Sequence, residues 1–289
     1  MLFRSVSIVV NGETVLQEEP EDLPEEELPD IREETLDSIY RYCTSVPFEE
    51  IRPLLEAYPM HLSLIEEGLS SDRTVISKQL IQMNDGDVYG KDPLKTAHVL
   101  TATAIEARVL GLNRPAMSIT GSGSHGILCT MPLYAYGRLA QIGEERLCRA
   151  TALSYLITMY IKAYSGRLSA FCGCGIAGGT GAACGLCYLM GGGEKELAMT
   201  ISNMACGITG MICDGGNTGC VLKAVTALDA AWKAAQLGKA GITVGAEHGI
   251  NGRSPEETMR NMGQIADPGM VQTEETILRL MEEKTEGSV

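Results

Sequence analysis

The sequence of 289 residues has 45% hydrophobic and only 5% aromatic side chains, with a formal net charge of −14. That length holds one large domain or two smaller ones, with a core of small and aliphatic residues. So acidic a chain lacks the basic surface that nucleic acid or an anionic membrane requires, which leaves a small molecule or a protein as its partner. No basic and apolar leader opens the sequence, and the longest apolar run, residues 151–160, is followed by Lys162 and falls well short of the roughly 20 residues that span a bilayer. A cytoplasmic protein is expected. In reducing surroundings its ten cysteines serve as metal ligands, reactive thiols or core residues rather than disulfides.

Residues 4–10 alternate apolar and polar, Asn11-Gly12 follows, and 13–17 resume the alternation, which predicts a hairpin closed by an Asn-Gly turn. Two strands alone are marginal in water, so residues 1–17 read as the remnant of an N-terminal domain whose other strands lie elsewhere. From 18 to 34 the chain is dense in Glu, Asp and Pro, as in a solvated linker. A large, mainly α domain is expected over 35–289. Leu36, Ile39, Tyr40 and Cys43 keep helical spacing, and Phe48, Ile51, Leu54 and Leu55 repeat it after Pro47. Asp92-Pro93 offers an N-cap and first-turn proline for a helix running to about Leu110, with Gly111 as its stop. Helices are also expected over 147–164, 197–212, 221–237 and 276–281, and Ser254 with Glu257 has the spacing of a capping box.

Three segments carry the candidate chemistry. The first, GSGSHG at 121–126, is literally a GxGxxG, but a dinucleotide fold needs that turn between strand and helix of a βαβ unit, and the flanking regions supply no further parallel strands. Pro132 is expected to interrupt the helix that follows. A bland polar turn is one alternative; the favoured reading is a loop whose backbone N–H groups and Ser122 and Ser124 hydroxyls hold a small anion such as a carboxylate. In the second segment, residues 172–187, Cys184 and Cys187 sit three apart in an Ala/Gly/Leu helix and read as core residues, whereas Cys172 and Cys174 occupy a Gly-rich bend where a thiolate can meet a metal. The third, residues 211–220, is a polar loop with Cys213 and Cys220 at its ends and Asp214 and Asn217 between them, an arrangement that suits an iron-sulfur cluster beside a polar ligand. Zinc is the rival metal, although its structural sites usually pair ligands at shorter spacings.

Together these segments resemble the L-cysteine desulfidase family and the alpha domain of iron-sulfur L-serine dehydratases, over about residues 36–284. The resemblance implies a 4Fe-4S cluster held by Cys174, Cys213 and Cys220, with Cys172 as the alternative first ligand, and one iron left open to substrate. It implies that Ser122, Gly123, Ser124 and His125 meet the substrate carboxylate, and Asp214 and Asn217 join them as expected substrate contacts. The short loop between Cys213 and Cys220 leans toward L-cysteine over L-serine. The expected reaction is a β-elimination giving pyruvate, ammonia and sulfide or water, with His125 and Lys223 as the acid/base candidates within the chain. Family members also carry an N-terminal domain with a cysteine motif implicated in proton transfer, and this sequence begins where that domain would be ending. A separate N-terminal-domain chain is therefore an expected partner, and a homodimer the expected assembly. Two rival readings are a non-catalytic cluster-bearing remnant or subunit, and a nucleotide-dependent oxidoreductase using the GxGxxG.

Overall fold

The computed structural model describes Ser7–Val10, Glu13–Gln17 and residues 30–166 and 169–286. Contacts divide the chain into two units, Met1–Asp30 and Ile31–Val289. In the first, β1 (Ser7–Val10) pairs antiparallel with β2 (Glu13–Gln17), in a register that shifts by one residue between Ile8 and Val9. The expected Asn11-Gly12 turn and most of the acidic stretch lie outside the described residues.

The second unit is helical, beginning with a 3-10 turn (Ile31–Glu33). Thr35 accepts a hydrogen bond from Ser38 N at 3.1 Å and opens α1 (Leu36–Ser45). The helix expected after Pro47 is split: α2 (Phe48–Ile51) gives way to a 3-10 turn (Arg52–Glu56) at Pro53, whose ring removes an N–H, before α3 (Ala57–Ser70) begins. The start of α4 (Ile76–Met83) is capped from a distance, by the buried Glu106 carboxylate, which accepts from Val75 N, Ile76 N and Ser77 N at 2.8–2.9 Å. Glu106 belongs to α5 (Pro93–Val109), whose own cap is the expected one: Asp92 Oδ1 accepts from Leu94 N and Lys95 N, and Gly111 follows at φ +68°.

Pro132 does not end the next helix. It lies inside α6 (Gly123–Leu139), where residues 123–133 are all buried, so packing outweighs the one backbone bond that proline forfeits. The expected helices over 147–164, 197–212, 221–237 and 276–281 appear as α7 (Glu144–Ser165), α9 (Glu194–Ile208), α10 (Gly219–Lys239) and α12 (Val271–Glu286). Between α7 and α9 come a π turn (Cys174–Gly178) and α8 (Gly179–Leu189). Ahead of α11 (Pro255–Ala266) only half of the expected capping box forms: Ser254 Oγ accepts from Glu257 N, while the Glu257 carboxylate turns to Arg253 N at 2.7 Å. Among the described residues, no helix is long and apolar enough to cross a membrane.

The core is organised on α8, which packs against α6, α7, α9 and α10. Gly181 makes that approach possible, because a Cβ there would overlap Thr158 Oγ1 and the Ser154 carbonyl of α7. Cys184 and Cys187 are fully buried in α8 and act as small core residues. A second buried device holds the chain just before α6: His61 Nε2 accepts from Met117 N at 3.1 Å, so its Nδ1 carries the proton and donates to Thr130 Oγ1 at 2.9 Å.

Burial lowers the His61 pKa from 6.5 to about 4. Because the folded value lies below the unfolded one, the unfolded chain is protonated first as pH drops. The fold keeps its full His61-dependent stability above pH about 6.5 and loses roughly 2 to 3 kcal/mol by pH about 4.5. Urea unfolding at both pH values should therefore show a smaller acid loss in His61→Gln than in the natural protein; equal losses would assign the acid sensitivity elsewhere.

Candidate active site

The two cysteine-bearing segments meet through a very short antiparallel pairing centred on Phe171 and Ile212, in which Cys172 N donates to Met211 O at 3.0 Å and Cys213 N to Ala170 O at 2.6 Å. Cys172 and Cys213 each lie one residue beyond the central pair, so side-chain alternation turns both toward the same face. The chain then enters the π turn, closed by Gly178 N donating to Gly173 O at 3.0 Å, and the Cys174 thiol reaches the Ser124 carbonyl at 3.3 Å. Cys220 lies in the first turn of α10, its thiol 3.4 Å from the Gly215 carbonyl. Cys172 feels Cys213 and Cys220 electrostatically, and Cys174 feels Cys172 and Cys220, which places the four thiols in one neighbourhood.

Among the described residues, no three His, Cys, Asp or Glu side chains converge as the ligands of a single metal ion. A spread set of thiols is what a multi-iron cluster uses, since each cysteine binds its own iron corner, and an all-sulfur donor set selects soft metals and iron-sulfur clusters. Burial pushes the Cys172 thiol up to about 11 and the Cys174 thiol well above its ordinary value, so the thiolate forms require a cation beside them. Cys174, Cys213 and Cys220 are the partly exposed members of the set, while the buried Cys172 sulfur already accepts from Gly175 N at 3.4 Å. This soft all-sulfur donor set fits an iron-sulfur cluster better than a hard cation.

The 213–220 loop is largely satisfied by its own side chains. Asn217 Nδ2 donates to Asp214 O and Oδ1 at 3.3 Å, and Asn217 Oδ1 accepts from Gly219 N at 2.7 Å. Asp214 forms an ion pair with Lys223. Burial works against the charged form of Lys223, yet the hydrogen bond and ion pair with Asp214 outweigh it and raise the pKa. Hence Asp214, Asn217 and Lys223 shape this loop in the structure, and Lys223 is held as an ammonium.

On the other side stands the start of α6. Thr120 and Gly121 turn the chain with φ +49° and +81°, and Ser122 N donates back to Ile119 O at 3.0 Å. The expected loop is thus confined to 120–122, since Gly123 and Ser124 already form the first helical turn. Among the described residues, the only named strands are those of the hairpin, and this turn follows none of them, so the βαβ setting of a dinucleotide site is missing.

Thr120 Oγ1 donates to Ile119 O and lies 2.6 Å from His125 Nδ1, so His125 carries its proton on Nδ1 and leaves a lone pair on Nε2. A Cβ on Gly173 would stand 2.8 Å from that Nε2, which fixes the imidazole beside the cysteine bend. Burial, then the charges of Lys162 and Arg108, lower the His125 pKa to about 3. Arg108 donates to Ser124 Oγ at 3.0 Å. Burial also lowers the pKa of Lys162, against the pull of Cys213 and Cys172.

Of the residues expected to meet the carboxylate, the structure brings Ser124 and His125 to the cysteine bend; Thr120, Arg108 and Lys162 also border it and were not singled out by the sequence. Lys162 carries a sequence signal, a lone cation closing an apolar helical run. Arg108 carried no signal beyond a basic residue near a helix end.

Fold and site together define a helical domain in which the Cys174 thiol meets the first turn of α6, with Cys172, Cys213 and Cys220 nearby. The chain belongs to the serine dehydratase alpha chain family, whose model matches residues 25–279. It is 45% identical over 258 residues to a UPF0597 protein of Clostridium botulinum (strain Langeland), covering 88% of this chain and 59% of that protein. It is 36% identical over 277 residues to a UPF0597 protein of Clostridioides difficile (strain 630), covering 94% and 65%, and 38% identical over 255 residues to one of Caldanaerobacter subterraneus subsp. tengcongensis, covering 88% and 59%. The chain thus spans about three fifths of the length of the curated relatives it matches.

Proposed function

We propose that this chain is the cluster-bearing part of a lyase that eliminates the β-substituent of L-cysteine, with L-serine as the alternative substrate. The observation that carries the reading is the meeting of the 170–172 and 211–213 segments beside the first turn of α6, which brings Cys172, Cys174 and Cys213 together with Cys220 nearby. Cys174, Cys213 and Cys220 would hold a 4Fe-4S cluster, with Cys172 as the alternative first ligand. When bound, such a cluster supplies a Lewis acid for the leaving thiol or hydroxyl. The first-turn N–H groups of α6 and the hydroxyls of Ser122 and Ser124 hold the substrate carboxylate. Loss of the α-proton and of the β-substituent gives aminoacrylate, which hydrolyses to pyruvate and ammonia.

Within the chain, His125 Nε2 has a free lone pair, but a pKa of about 3 makes it a weak base at neutral pH. Lys223 is committed to Asp214. The strong base is therefore assigned to the part of the relatives that this chain does not span. Protein purified without oxygen should contain iron and acid-labile sulfide and absorb broadly in the visible. Colourless protein with stoichiometric zinc would overturn the proposal.

A further inference from the structure

The amino-acid reading leaves one buried charge without a use. Lys162, in the last turn of α7, is 8% exposed and has neither an ion pair nor a hydrogen bond among the described residues. Its nitrogen keeps a little solvent contact and feels the Cys213 and Cys172 thiols, and an ammonium so deeply set gains from a small anion beside it. A Cβ on Gly173 would stand 3.3 Å from Lys162 Cδ and 2.8 Å from His125 Nε2, so the lysine stem and the imidazole border the same space.

The start of α6 opens beside it. Ser122, at the N-cap, makes no side-chain bond to the helix, which leaves first-turn N–H groups to an outside acceptor. Ser124 Oγ accepts from Arg108 and so keeps its own hydrogen free to donate. A lysine whose stem borders His125, together with the open first turn of α6 and the Ser124 hydroxyl, offers donors for one small anion.

We propose that Lys162 is the cation that binds the α-carboxylate of the substrate, and that Arg108 is a positioning residue acting through Ser124. The inference rests on the amino-acid reading above, but its test does not need turnover. Anaerobic calorimetric titration with L-serine and with ethanolamine compares two ligands that differ only in the carboxylate. The natural protein should prefer L-serine. Lys162→Met should lose roughly 10- to 100-fold in affinity for L-serine and little for ethanolamine. Lys162→Arg should keep most of the preference, and Arg108→Met should lose part of it. Lys162→Met should melt no lower than the natural protein, since it removes a lone buried charge.

Absence of any preference for L-serine in the natural protein would overturn the inference. So would an equal weakening of both ligands in Lys162→Met. Loss of iron in Lys162→Met with the preference intact would assign the ammonium to the thiolates instead, and also overturns it. A preference that depends on Lys162 in protein lacking iron would uphold this inference while sinking the cluster-based function.

Discussion

Replacing Cys213 or Cys220 by serine is expected to bring the iron and acid-labile sulfide of anaerobically prepared protein down to background, whereas Cys184→Ala and Cys187→Ala should leave both unchanged. The contrast follows from where the thiols sit. Cys213 and Cys220 bound a partly exposed polar loop, and each would hold its own corner of a cluster, so neither has a substitute. Cys184 and Cys187 lie inside α8, fully buried, where a smaller side chain costs packing but no ligand. Between Cys172 and Cys174 the same measurement chooses the first ligand. Cys174→Ser is expected to lose iron because its thiol lies at the Ser124 edge of the site. Retention of iron by Cys213→Ser and Cys220→Ser, with loss in the α8 variants, would show that the wrong thiols had been assigned.

Much of this arrangement was legible in residue order. Asp92-Pro93 and Gly111 bounded α5 because caps and stops act within a few residues of the helix they end, and the Gly-rich stretch at 173–185 marked where α8 packs closely on its neighbours. What failed depended on partners distant in sequence. The pairing of 170–172 with 211–213 is too short to leave a periodic signature, and it explains why α9 stops at Ile208 instead of running on to 212. Pro132 stays inside α6 because the burial around it outweighs the local propensity that predicts a break there. Glu106, which caps α4 from α5, and Lys162, which borders the α6 turn from α7, look in sequence like ordinary residues of apolar helices. Their roles exist only in the packed state.

The chain by itself is expected to release pyruvate from L-cysteine or L-serine slowly, and the N-terminal part of a relative, added as a separate polypeptide, should raise the rate by about 10² to 10⁴, the usual contribution of a positioned general base. The described residues carry the proposed carboxylate seat and cluster site, and neither acid/base candidate expected from the sequence, Lys223 or His125, is suited to take the α-proton at neutral pH. Lys223 is held charged by Asp214, and His125 is held neutral with a pKa of about 3 by burial and by Lys162 and Arg108. The curated relatives extend well beyond the region this chain covers, which gives the missing base a place to reside. The assay is anaerobic production of pyruvate and sulfide from L-cysteine, and of pyruvate from L-serine, by the chain alone and by the mixture. Full activity from the chain alone would place the base within these residues and make His125 Nε2 the first candidate, reached by raising its pKa when an anionic substrate compensates Lys162. Iron-loaded protein that stays inactive in the mixture would favour the rival reading, in which this cluster-bearing chain serves binding or sensing rather than elimination.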